Sequence, residues 1–165
     1  MVRLLLQFKA ELENVTDLKP ADENFNWFFE AMHPKYVSMT RTEEMAVSGG
    51  KGSTANFVWR CGMCLTSLPN IRVDRESSAK FEVANPVQPY TAESSGQFAP
   101  LVTVDCRGLE FINFDPRGVW TCKGAESGTI FPEVPLDERE WTDYDEKKAC
   151  PVGIMEIESK WVRAP

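Results

Sequence analysis

The chain has 165 residues, 42% hydrophobic and 11% aromatic, enough to bury one sizeable core. Its formal net charge is −7, and no basic block exceeds the Lys147-Lys148 pair, which excludes the electrostatic footprint of a nucleic-acid or anionic-membrane binder. The apolar start Leu4-Leu5-Leu6 is broken by Gln7 and Lys9 before it reaches signal-peptide or membrane-span length. With five scattered cysteines rather than a dense paired framework, a soluble protein of the reducing cytoplasm is expected.

In chain order, residues 2–12 alternate Leu4, Leu6 and Phe8 against Arg3, Gln7 and Lys9, the period-2 pattern of a half-buried strand. Asn14-Val15-Thr16 reads as a turn rather than a glycosylation site, and residues 17–22 carry turn chemistry. Residues 25–32 are aromatic and strand-like. A Gly/Ser loop over 48–53 leads into a strand at 56–60, and a further strand is expected at 71–73. Prolines 86, 89 and 100 mark a long connection in which helix is not expected. Beyond it, strands are expected at 101–104, 111–114, 118–122 and 154–162.

Leu12-Glu13 leading to Pro20 is echoed by Leu109-Glu110 leading to Pro116, and each half then passes through an aromatic strand, a Gly/Ser loop and a final strand. The reading is an all-β protein, two related β units forming a β-sandwich or barrel-like pseudo-symmetric pair. It is taken as a single domain over 1–165, with halves of about 1–85 and 100–165 joined by the proline-rich connection.

The chemistry-bearing motif is Cys61-Gly62-Met63-Cys64, two thiols that supply one edge of a tetrahedral metal site. No second CxxC completes it; upstream stands Met32-His33-Pro34-Lys35-Tyr36. A thioredoxin-like role for the pair is disfavoured because the proline-limited segment after Cys64 cannot form the helix that lowers a thiol pKa. Cys106, Cys122 and Cys150 are isolated and read as buried hydrophobes. The loop at 49–53 lacks the GxxxxGK[ST] spacing of a phosphate loop. The acidic run 137–146 with Trp141 and Tyr144 reads as a solvated loop pinned by its aromatics; the competing reading makes Trp141, Asp143, Tyr144 and Asp145 a surface for a basic partner.

Several segments together carry a resemblance: residues 6–16, the loop at 49–53, the Cys61–Cys64 knuckle, Cys106-Arg107-Gly108-Leu109-Glu110, Glu126-Ser127-Gly128-Thr129 and, above all, Trp141-Thr142-Asp143-Tyr144-Asp145-Glu146-Lys147. In order and spacing they resemble the eukaryotic CXXC motif-containing zinc-binding protein family across essentially the whole chain. The resemblance implies a small intracellular all-β protein in which two CxxC pairs on neighbouring loops clamp a structural zinc, in a family for which no catalytic activity is established. Here the second pair is Cys61 and Cys64, while the first pair's positions fall on His33 and Tyr36, in a shortened loop. Two outcomes are open. Cys61, Cys64 and His33 could hold zinc weakly, with water or Glu30 in the fourth place. Alternatively, the loop folds without metal and Tyr36 or Met32 packs where zinc was, which is the preferred outcome.

No catalytic constellation is found, so the expectation is a non-enzymatic protein-interaction or metal-handling accessory with an unidentified protein partner. The alternative is a small-ligand carrier or enzyme using a pocket between the β halves.

Overall fold

Residues 1–32, 34–48, 52–60 and 76–165 are described by a computed structural model. Strand β1 (Val2–Glu13) buries Leu4, Leu6, Phe8 and Ala10 on alternate positions, as its period requires. Asn14, at φ 56°, turns the chain into β2 (Val15–Pro20). Residues 17–20, expected in a turn, are therefore strand. Leu18 is fully buried and exchanges two backbone hydrogen bonds with Tyr90, and the donor-less Pro20 falls at the strand's end, where its missing N–H is tolerated.

There follow β3 (Trp27–Ala31), β4 (Tyr36–Met39), the short hairpin β5 (Met45–Ala46) and β6 (Thr54–Ala55), then β7 (Phe57–Arg60) and β8 (Glu76–Phe81). The second half contributes β9 (Ala99–Arg107), β10 (Phe111–Asp115), β11 (Val119–Gly124), β12 (Ile130–Pro135), β13 (Trp141–Asp145) and β14 (Cys150–Arg163). The connection between the halves holds a single 3-10 turn, Ala92–Ser94. The strand expected at 71–73 lies outside the described residues. Among the described residues, no helix is long and apolar enough to cross a membrane.

The main sheet has the order β13-β14-β1-β9-β8-β7 and curls into half a barrel. Two three-stranded sheets, β10-β3-β4 and β12-β11-β2, complete the core. A pseudo-two-fold axis runs between β1 and β9: it exchanges β1 with β9, β2 with β10, β3 with β11, β4 with β12, β8 with β14 and β7 with β13, and maps each sheet order onto its counterpart. The halves interleave, because β2 joins the second half's β11–β12 pair and β10 joins the first half's β3–β4 pair.

Aromatic rings fill the space between the sheets. The matching residues Trp27 and Trp120 sit with centroids 6.4 Å apart, Phe8 stacks on Trp120 at 5.7 Å, and Phe29 meets Phe111 at 4.6 Å. These rings leave the region between the halves packed, and it supplies much of the apolar burial that holds the fold together.

Candidate functional site

Three places in the fold bear on function: the loops that carry the CxxC chemistry, the acidic strand β13, and a cleft beside β14.

His33 lies between β3 and β4, and Cys61 and Cys64 lie between β7 and β8; all three are outside the described residues. Their described neighbours are informative. Ala31 N–H donates to Lys35 O at 2.9 Å, bridging the ends of the β3–β4 connection. Tyr36 and Met32 are 73% and 80% exposed, so neither packs inward in place of a metal. Glu30 accepts a hydrogen bond from Asn113 Nδ2 at 3.0 Å, which commits it to β10. Among the described residues, no group of three His, Cys, Asp or Glu side chains could hold a metal ion.

The pseudo-two-fold supplies a counterpart for these loops in the β11–β12 loop and the β13–β14 turn. There the cross-tie is Asp145. It is buried, and its carboxylate accepts from Ser127 Oγ, from Thr129 Oγ1 at 3.0 Å, and from the Lys147 and Lys148 N–H groups at 3.1 and 3.2 Å. The Ser127 hydroxyl first, then the backbone amides and Thr129, hold its pKa below the ordinary carboxylate value. Gly124 makes room for the clasp, since a Cβ there would stand 2.5 Å from Asp145 Oδ2.

The acidic run 137–146 contains strand β13 where a solvated loop was expected, because its backbone pairs with Cys150–Ile154 of β14. Backbone pairing overrides the low strand propensity of aspartate, and the charges suit an edge strand. The four residues singled out on this run separate into two pairs. Trp141 is half-buried, its ring edge-on to Phe131 at 5.4 Å, and Asp145 is the buried clasp. Asp143 and Tyr144 face solvent, alongside exposed Asp137, Glu138, Glu140 and Glu146. β13 ends the sheet, so one of its edges has no neighbouring strand among the described residues.

The cleft, of about 890 Å3, lies between β14 and the β10-β3-β4 sheet and is lined by residues including Phe28, Tyr36, Phe114, Arg117, Arg139 and Ile157. Arg117 packs over Phe28 at 4.9 Å while paired with Asp115 at 2.6 Å. The sequence offered a pocket between the β halves but none of these lining residues, because they come together only through the pairing of strands far apart in the chain.

Residues 5–162 match the model of a family described as "CXXC motif containing zinc binding protein, eukaryotic". The chain belongs to this family. Among curated CXXC zinc-binding proteins, that of Xenopus laevis is 40% identical and that of Homo sapiens 35% identical, each with 99% of both chains covered. A crystal structure titled C1orf123 superposes with TM-score 0.84 at 34% identity, covering 98% of this chain and 99% of the other. A hypothetical protein from Plasmodium falciparum, 24% identical, shares the fold with TM-score 0.80 and coverage of 98% of this chain and 100% of its own. The family resemblance and the all-β architecture read from the sequence both hold.

Proposed function

We propose that this protein is a non-enzymatic cytoplasmic accessory, a protein-interaction or metal-handling β module whose acidic strand β13 meets a basic surface on a partner. The observation carrying this reading is the exposed sheet edge at β13, where Asp143 and Tyr144 face outward among Asp137, Glu138 and Glu140. Like-signed charge of this kind steers a cationic partner, and a free strand edge offers backbone groups for pairing. The test is capture from cell extract with the wild type and an Asp143→Lys/Tyr144→Ala variant. A partner with a basic surface should be retained by the first and lost by the second; equal capture by both sinks the reading.

Zinc enters this reading as a loop clasp. The relatives carry zinc binding in their names, and Cys61, Cys64 and His33 are a donor set that zinc accepts. Asp145 suggests what such a site accomplishes, since it ties the corresponding pair of loops without metal. Two thiolates and one imidazole bind zinc less tightly than four thiolates, so the purified protein should hold less than stoichiometric zinc. Elemental analysis of the parent, Cys61→Ser and His33→Ala decides this. A full complement of zinc that survives His33→Ala would remove His33 from the site.

A second reading, small-ligand carriage, draws on the cleft beside β14, which residues from 28–38 of the first half and from 113–159 of the second line together. It predicts saturable binding of a small apolar fluorophore that Tyr36→Ala abolishes.

A further inference from the structure

The pseudo-two-fold leaves one edge uncovered that its counterpart covers. Two hydrogen bonds set the correspondence: Ala164 N–H donates to Arg3 O at 2.9 Å, and Gln88 N–H donates to Leu101 O at 2.9 Å. Three residues along from Arg3 and Leu101, Leu6 faces Trp161 and Val104 faces Phe81. The ladders match Glu158 and Ser159 of β14 to Ser78 and Ala79 of β8, and counting back along both strands puts Ile157 at the place of Ser77 and Glu156 at that of Glu76, on the bulge that interrupts the pairing of β14 with β1.

In the first half that stretch is covered by β7, with Arg60 opposite Glu76, Trp59 opposite Ser77, Val58 opposite Ser78 and Phe57 opposite Ala79. Arg60 Nε also reaches Glu76 Oε2 at 3.0 Å. In the second half β13 covers only Cys150–Ile154. Glu156 takes φ 53° and turns the edge just past the end of β13. From there β14 runs on beside β1 to Arg163 with no strand hydrogen-bonded to its other side among the described residues, and β10 packs only against its far end, where Trp161 Nε1 donates to Asn113 O at 3.3 Å.

This uncovered edge is one wall of the 890 Å3 cleft, and Phe28, Tyr36 and Phe114 contribute to the wall across from it. The edge accepts hydrogen bonds from outside the sheet, because Arg139 Nη2 donates to Ile157 O at 2.9 Å. Aromatic walls facing an open strand edge suit an extended peptide, whose backbone pairs with the edge while alternate side chains enter the apolar space. Glu156 is exposed and stands in the register that Glu76 uses to hold Arg60, so the complementary ligand carries a cation at that point.

We propose that the cleft binds an extended peptide of a partner protein, antiparallel to β14 at residues 157–159, with bulky apolar residues at alternate positions and a Lys or Arg beside Glu156. The chain's own Phe57-Val58-Trp59-Arg60 on β8 is the template for that mode. Binding displaces the Arg139 side chain from Ile157 O and replaces its hydrogen bond with a backbone one.

The probe is a synthetic peptide of residues 54–60 of this chain, titrated into the 15N-labelled full-length protein. The expected result is saturable shifts at Phe28, Tyr36, Phe114 and residues 157–159. Glu156→Lys should weaken binding at least about fivefold, the effect of losing one favourable rim pair and gaining a repulsion. A peptide with Glu in place of Arg60 should recover binding to that variant. Tyr36→Ala, at an exposed position that leaves the fold intact, should weaken the peptide as well. Absence of shifts at millimolar peptide overturns the proposal. So do shifts confined to β8 and β9, which would report displacement of β7, and shifts centred on Tyr144. The site is separate from the proposed β13 surface, so Asp143→Lys should leave the affinity for this peptide unchanged, and failure of one reading does not carry the other.

Discussion

Trp27 and Trp120 hold matching places in the two halves, and their indole N–H groups meet different fates. Trp120 Nε1 donates to Pro116 O at 2.8 Å, whereas the buried Trp27 Nε1 has no partner among the described residues. Replacing Trp120 with Phe strands a buried carbonyl as well as losing ring contacts; replacing Trp27 loses contacts but removes an unpaired donor. Trp120→Phe should therefore cost about 1–2 kcal/mol more than Trp27→Phe in urea unfolding, and the reverse order would mean the Trp27 donor is satisfied. Asp145 makes a pH prediction. Its folded pKa is depressed, so its contribution is fully present above the unfolded carboxylate value near about 4 and is lost as pH falls through the lower folded value. Asp145→Asn should destabilise the protein at neutral pH, and the gap to wild type should close in acid; a gap independent of pH would contradict the clasp's charge. Burial pushes the Cys106 and Cys122 thiols up to about 12, with small further contributions from nearby carboxylates. Both should resist an aromatic disulfide reagent in the native protein and react on unfolding, and labelling of either in the native state would mean the surrounding sheet opens.

At the level of elements, what the sequence revealed depended on whether local pattern and tertiary environment agreed. β1 was legible because Leu4, Leu6, Phe8 and Ala10 face one core while their neighbours are half-exposed. β13 was not, since its charged residues satisfy solvent and only backbone pairing with β14 makes it a strand. β8 hid for the opposite reason: Ser77, Ser78 and Ala79 are all buried, small enough to fit beneath neighbouring strands, so no alternation appears. The proline-rich connection was legible only as a long stretch without helix, and Tyr90, which is buried, fixes it. Its Oη lies 2.5 Å from Ser94 O, 2.7 Å from Gln97 O and 3.2 Å from Ala10 N. Tyr90→Phe should cost about 1–3 kcal/mol, because buried carbonyls and an amide lose a shared partner; a change below about 0.5 kcal/mol would show that water replaces the hydroxyl. The candidate ligands were legible as residue types and a pocket between the halves as an alternative, but the cleft's walls were not, because no local pattern announces that β13 covers β14 only as far as Ile154.

On the scale of the whole molecule, the two halves are related but not independent. β1 sits between β14 and β9, both from the second half, and each half lends a strand to the other's hairpin. A fragment of residues 1–85 would expose both edges of β1 and leave β3 without β10; residues 100–165 would leave β11 without β2 and β14 without β1. Neither fragment retains a closed core, since Phe8, Trp27, Phe29, Phe111 and Trp120 belong to one cluster drawn from both. The intact chain should then unfold in one cooperative transition, with calorimetric and van't Hoff enthalpies equal. Each fragment alone should lack a cooperative transition by circular dichroism, and mixing residues 1–98, which keep the buried Tyr90, with residues 99–165 should restore one. A fragment that unfolds cooperatively by itself would mean that the halves form their cores separately and that strand exchange is a late docking step. Single-transition behaviour would instead make the exchange part of one cooperative unit, because β2 and β10 can pair only after both halves have approached. It would also couple the loops bearing Cys61, Cys64 and His33 to the Asp145 clasp through one core, so that removing either tie lowers the same transition.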